Sequence, residues 1–232
     1  MRLIALLCLG CLMLMSAEVS AKAQREFSEA ETRKFMQEFG DCKAYFHMSM
    51  ARRAIIENAD LQTMMSKYQR LVDTDCLPRD RGVGTVRMSG DVILYAIAGG
   101  YVRRILPRSP AFDFSGVSPL SHRLVPPLDT ELLNSTAEKD QAAVKQHKNR
   151  LASLALSLFT ECVSRNAPAE VLKLIVSKVG SKKEKIGFVA IGSTMSDCLG
   201  TGQVNFSREA LRGALSLAFA RLALAQTERA LD

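Results

Sequence analysis

The chain has 232 residues, 47% hydrophobic and 24% charged, which excludes a wholly disordered polypeptide and allows one or two packed domains at the usual ~100 to 200 residues each. Its 31 basic and 24 acidic residues give a formal charge of +7, favouring anionic neighbours such as lipid or acidic polymer without selecting one. A chain with no tryptophan is poorly supplied with platforms for stacking bases, so nucleic acid is not an expected partner.

Residues 1–23 read as a cleaved signal peptide. Arg2 supplies the positive start, Leu3 to Met15 is an apolar run, and small residues end at Ala21 or Ala23. Thirteen apolar residues fall short of the ~17 to 25 that cross a bilayer, so no transmembrane segment is expected after cleavage. Removal of the leader takes Cys8 and Cys11 and lowers the formal charge to +6. Cys42, Cys76, Cys162 and Cys198 remain, an even set suited to disulfides in a periplasmic or secreted protein, with three pairings open.

Residues 24–106 read as a first helical unit. Ser28-Glu29-Ala30-Glu31 is a capping-box pattern opening a helix that carries Phe35, Phe39, Cys42 and Phe46 at spacings of three and four. A second helix is predicted from Ala51 to Met65, a third approaching Cys76, and a fourth from Ser89. Pro107, Pro110, Pro119, Pro126 and Pro127 forbid sustained helix, so residues 107–127 read as a linker, with Val117, Leu120, Leu124 and Val125 available to pack. Residues 128–232 read as a second unit. Ser135 to Glu138 opens a long helix through Leu151, Leu154, Leu158 and Cys162; Pro168 to Val179 follows, then a helix approaching Cys198 and a last, very apolar one from Ser207 to about Arg229. Core packing is the expected role of that last helix.

The halves match at an offset of about 120 residues. Phe39-Gly40-Asp41-Cys42 answers Phe159-Thr160-Glu161-Cys162, Ala54-Ile55-Ile56 answers Leu174-Ile175-Val176, and Asp75-Cys76-Leu77 answers Asp197-Cys198-Leu199. The stretch from Ser89 through Leu106 matches Ser207 through Leu224, with Tyr101 opposite Phe219 and Arg103 opposite Arg221. The fold expected is therefore all-α: two tandem related units of about four helices each, one disulfide per unit, Cys42 with Cys76 and Cys162 with Cys198.

Reactive chemistry has little support. Each of the four cysteines beyond the leader follows an acidic residue (Asp41, Asp75, Glu161, Asp197), which disfavours thiolate, and no two of them stand as Cys-x-x-Cys, a spacing found only at Cys8 and Cys11 of the leader. His47, His122 and His147 stand in no metal-ligand or Ser-His-Asp pattern, so neither metal nor cofactor is expected and no catalytic residue is assigned. Gly82, Gly84, Gly200 and Gly202 follow cysteines rather than strands and read as turns, and Gly180 reads as a helix stop before a charged turn. Arg103 and Arg104, with Lys182, Lys183 and Lys185, are the candidates for contact with an anionic partner; Arg108 and Lys178 adjoin them.

The aromatic-x-x-Cys helix, the later Cys-Leu followed by Gly, and the closing Leu211-Arg212-Gly213-Ala214-Leu215 resemble exported alphaproteobacterial proteins of the sphingomonad type, built from a repeated helical unit. The resemblance implies fold and export and carries no activity. The first copy departs from it at Ile93-Leu94-Tyr95-Ala96-Ile97 and in a Pro78-Arg79-Asp80-Arg81 insertion.

The expected function is that of an exported, non-enzymatic helical protein that binds an envelope component (a protein, a lipid or an anionic polymer) in a groove between its units or on an apolar helix face. Two alternatives are a hydrolase whose site lies across the linker, using His122 and neighbouring acids, and an acid-stress periplasmic chaperone.

Overall fold

The computed structural model describes residues 28–77, 90–106, 112–199 and 206–229. The predicted leader, the Pro78–Arg81 insertion, Ser89, Pro107, Arg108, Pro110 and the glycines at 82, 84, 200 and 202 lie outside the described residues. Within them the chain is all helical, without a strand.

The first unit comprises α1 (Glu29–Phe46), α2 (Met48–Ile56), α3 (Leu61–Lys67), α4 (Gln69–Val72) and α5 (Gly90–Arg104). The capping box forms as expected: the Glu31 amide donates to Ser28 Oγ at 3.2 Å and the Ser28 amide to the Glu31 carboxylate at 3.0 Å. The second helix is shorter than predicted. It stops at Ile56 because Asn58 takes a left-handed φ of 50°, a conformation asparagine tolerates better than most residues. Asp60 then caps α3 by accepting the Thr63 amide at 2.8 Å. The predicted third helix, approaching Cys76, is the four-residue α4, parted from α3 at Tyr68, whose side chain is buried.

The second unit comprises α6 (Thr130–Leu133), α7 (Glu138–Asn166), α8 (Pro168–Val176), α9 (Lys182–Ala190), α10 (Gly192–Leu199) and α11 (Arg208–Arg229). The capping box expected at Ser135 does not form: Ala137 is the N-cap, and Ser135 Oγ instead accepts the Ala137 amide and donates to Asp140 at 2.6 Å. Pro168 opens α8, where its missing N–H costs nothing. Gly180, at φ +75°, precedes Ser181, which caps α9 through the Glu184 amide. The charged turn expected after Gly180 is thus the first turn of a helix.

The expected disulfides are present, Cys42–Cys76 and Cys162–Cys198, each with Cα atoms 5.9 Å apart. Closing loops of 34 and 36 residues stabilises each unit by roughly 4 kcal/mol on the chain-entropy model. Lys43 reinforces the first bridge. It is fully buried, donates to the Arg70 carbonyl at 2.8 Å, and pairs with Asp73.

The two units share one hydrophobic core. Its centre is the pair α5 and α11: α5 lies against α1 on one side and α11 on the other, and α11 also packs on α7, α8 and α2. Leu211, Leu215, Leu217, Ala218, Phe219, Leu222 and Leu224 are all buried, as expected of a core helix. Tyr95 rests on Gly213, where a Cβ would press into its ring. The α1/α5 crossing is closer still. Gly40 faces the Ala96 carbonyl and Gly100 faces the Gly40 carbonyl, so neither position has room for a side chain.

Residues 112–129 are irregular, as the prolines predict. They form a strap fastened by arginines rather than a free linker. Arg165 donates to the Phe114, Val117 and Ser118 carbonyls, Arg221 to that of Ser121, and Arg229 pairs with that of Gly116. Arg123 reaches back to the Asn58 and Ala59 carbonyls. Non-helical backbone carries unmet acceptors, and these guanidinium groups meet them. Phe114 is fully buried against Phe219 and Val117 is buried, but Leu124 faces solvent at 93% exposure, unlike the packing foreseen for it.

Candidate sites between the two units

Two cavities lie where the units meet. The first, about 260 Å³, is mostly apolar and is bounded among the described residues by Met36 of α1, Val92, Tyr95 and Ala96 of α5, and Ala210 and Gly213 of α11. Three guanidinium groups, those of Arg33, Arg103 and Arg212, line it against a single carboxylate, Glu209. Their other partners are held behind the wall. Arg212 pairs with the buried Glu184 and donates to the Ile175 and Ser177 carbonyls at 3.0 and 2.6 Å. Arg33 bridges Glu184 at 2.9 Å and Glu209 at 2.8 Å.

Arg103 is the least satisfied of the three. Its Nε donates to Asp41 at 2.7 Å, but among the described residues its two terminal nitrogens reach only the Ile175 and Gln37 carbonyls, each at 3.4 Å. That is beyond the usual 2.7–3.2 Å for such bonds. Burial depresses the basicity of both Arg103 and Arg212, offset by Asp41 in one case and Glu184 in the other. Taking these cations out of water is unfavourable unless anions and acceptors surround them.

The second cavity is an open cleft of about 880 Å³ between α3 and α5 of the first unit, the strap, and α7. Asp60, Asp91, Arg123 and Arg150 supply its charges; Leu61, Met65 and Leu154 supply apolar surface. A recess of about 10 Å³ adjoins it, the two sharing Tyr95, Ser157 and Leu217 as walls. Burial pushes the Tyr95 hydroxyl up to about 12, so it is a protonated donor at neutral pH.

Beside this cleft the strap meets α7 in a polar cluster that sequence spacing did not reveal. Ser157 Oγ lies 2.8 Å from His122 Nδ1, and His122 Nε2 lies 2.7 Å from Glu161 Oε2. Glu161 also accepts the Leu120 amide at 3.0 Å and Arg165 Nε at 2.8 Å. Burial alone would raise the Glu161 carboxyl, but the Leu120 amide, Arg165 and His122 together hold it below its ordinary value. Only the placement of His122 in the predicted linker and of Glu161 before Cys162 was visible beforehand.

The predicted anion-contact residues divide. Arg103 is largely buried and paired with Asp41, Arg104 is exposed and 3.7 Å from the same carboxylate, and Lys182, Lys183 and Lys185 stand exposed on α9. They do not form one patch with Arg103, whose guanidinium points inward. Among the described residues no group of three or more His, Cys, Asp or Glu is placed to hold a metal ion, and no helix is long and apolar enough to cross a membrane.

Buried carboxylates make stability depend on pH in a definite direction. Burial would raise Glu184, but the Gly180 amide, Arg212 and Arg33 hold it below its ordinary 4.5, as Glu161 is held. A depressed folded-state value contributes stability that is full above the unfolded value and is lost as pH falls through the folded one. The melting temperature is therefore expected to hold from pH 7 to about 5 and to fall below pH 4.5, and Glu184→Gln to flatten that acid limb. An acid limb as steep in Glu184→Gln as in the parent would show that this carboxylate is not part of the effect.

Set against protein-family models, curated proteins and solved structures, the chain matches none.

Proposed function

We propose that the protein is an exported binding protein that seats a small anionic amphiphile, such as a short or medium-chain fatty acid, in the apolar cavity between its units. The carrying observation is Arg103: a largely buried guanidinium with two poorly satisfied terminal nitrogens at the wall of an apolar space. A carboxylate would supply the bidentate partner that planar fork lacks, while the apolar walls would take the chain. At about 260 Å³ the space lies below the usual ~300 to 1,000 Å³ of sites for drug-sized ligands, which favours a single short chain over a phospholipid.

Export is supported by the leader-like first residues and by two disulfides suited to an oxidising compartment. The resemblance to sphingomonad-type exported proteins points the same way. An origin by duplication is supported by α2 and α8, both nine residues long, in register at the offset that aligns the halves, and preceded by residues of like conformation, φ −126° at His47 and −138° at Ala167. A seat between two such units is what joining them would create.

Titration of the purified protein with decanoate, followed by calorimetry and melting temperature, tests the reading. Decanoate is expected to bind and to raise the melting temperature, Arg103→Met to weaken binding at least tenfold, and Arg104→Met, whose side chain faces solvent, to leave it unchanged. Equal affinity for decanoate and decanol, or undiminished binding to Arg103→Met, would overturn the carboxylate seat.

A further inference from the structure

We infer that Ser157, His122 and Glu161 form a nucleophile, base and orienting carboxylate for hydrolysis of small acyl esters, opening on the large cleft between the units. This site is distinct from the amphiphile seat and does not depend on it.

The Leu120 amide and Arg165 hold Glu161 as the acceptor, so it fixes the His122 proton on Nε2, the nitrogen 2.7 Å away. Nδ1 is then the lone-pair nitrogen, and Ser157 Oγ, 2.8 Å from it, is the donor. A hydroxyl pointed at a basic imidazole nitrogen, with a carboxylate behind the ring, is the arrangement that activates serine in unrelated folds. It is recognised by geometry and roles, and here the two ring nitrogens exchange their more familiar places.

Access and charge stabilisation complete the site. Ser157 is only partly buried and forms part of the wall of both the 880 Å³ cleft and the small recess. The backbone amides around it are committed to α7, so they cannot hold an oxyanion. Arg221 can. It is 5% exposed, its Nη2 donates to the Ser121 carbonyl at 2.8 Å, and its Nε is buried with no acceptor among the described residues. It lines the recess together with Ser157 and Thr160. Thr160 already donates to the Leu156 carbonyl. An unpaired buried donor is unfavourable, and a recess of this size takes about one oxygen atom. The oxygen of an ester carbonyl is such an atom.

The reaction then runs as acyl transfer. Ser157 Oγ bonds to the ester carbonyl carbon while its proton passes to His122 Nδ1, and the carbonyl oxygen takes the negative charge beside Arg221 Nε. Collapse breaks the bond to the alcohol oxygen, which leaves with the proton from His122. Water repeats the sequence on the acyl-serine, releasing the acid and restoring Ser157 and neutral His122. The recess has room for the carbonyl oxygen alone, so the rest of the ester lies in the wide, mixed polar cleft.

The test uses the intact disulfide-bonded protein with p-nitrophenyl acetate, and a fluorophosphonate probe read by peptide mass spectrometry. Turnover above that of free imidazole at matched histidine concentration is expected, with a phosphonate adduct on Ser157. Ser157→Ala, which removes one oxygen from a partly buried position, is expected to keep the wild-type melting temperature and lose at least 100-fold of the rate. Glu161→Gln is expected to weaken Ser157 labelling and to displace the acid limb of the pH–rate profile, an effect that loss of a purely structural bond would not produce. No turnover above imidazole, an unlabelled Ser157, or a Ser157→Ala variant with undiminished rate would each overturn the assignment. Should decanoate fail to bind while these outcomes hold, only the amphiphile seat falls.

Discussion

Replacing Arg212 by methionine is expected to lower the unfolding free energy by about 3 to 5 kcal/mol, the usual cost of removing one partner from a buried ion pair. Arg212 is 6% exposed, pairs with Glu184, and donates to the carbonyls of Ile175 and Ser177. Those carbonyls lie at the C-terminal end of α8, where no amide of that helix can serve them. The variant therefore takes one cation from Glu184, removes the donor to the Ser177 carbonyl, and leaves the Ile175 carbonyl only the 3.4 Å contact from Arg103. Arg33, 2.9 Å from Glu184, offsets part of the charge but cannot reach α8. The double variant Arg212→Met/Glu184→Leu is expected to recover much of the loss, since two well-packed apolar side chains can equal a buried ion pair. Urea unfolding of the four proteins gives the coupling directly; losses that simply add would mean that the two residues do not act as a pair.

The second large effect is at Gly100, where two principles oppose each other. In an exposed helix, glycine to alanine gains up to about 1 kcal/mol. At Gly100 a Cβ would lie on the Gly40 carbonyl, and the obstacle is backbone, which cannot swing aside. The helices must separate along the most extensive contact in the protein, and a loss of about 3 kcal/mol or more is expected. Gly192 is the control: a Cβ there meets nothing within 4 Å, so Gly192→Ala is expected to be neutral or slightly stabilising. A Gly100→Ala protein melting with the parent would show that α1 and α5 do not approach as closely as described.

The helical class, both disulfides, the cap at Ser28 and the core role of α11 were legible because each depends on local pattern. Periodicity marks an apolar stripe, and paired cysteine spacing in two matched halves selects one connectivity. The breaks at Asn58, Tyr68 and Ile191 were not legible, because the surrounding apolar pattern runs on through them and tertiary packing decides where a helix stops. Arg212 and Arg221 read as polar interruptions of an apolar helix; both are buried, because acceptors from α8 and the strap arrive from elsewhere in the sequence. The cluster at His122 was hidden for the same reason. Its members lie 35 and 39 residues apart, and their meeting depends on Arg165 and Arg221 holding an irregular segment against α7. Only the general notion of His122 acting with nearby acids across that segment could be formed from sequence.

In each unit the two bridged cysteines follow one another along the chain with no other cysteine between them. A polypeptide entering an oxidising compartment from its N-terminus presents Cys42 and then Cys76 before Cys162 emerges, so the first thiol each cysteine meets is its native partner. For a chain exported in that way, correct bonding would need only an oxidant, without obligatory reshuffling of mispaired thiols.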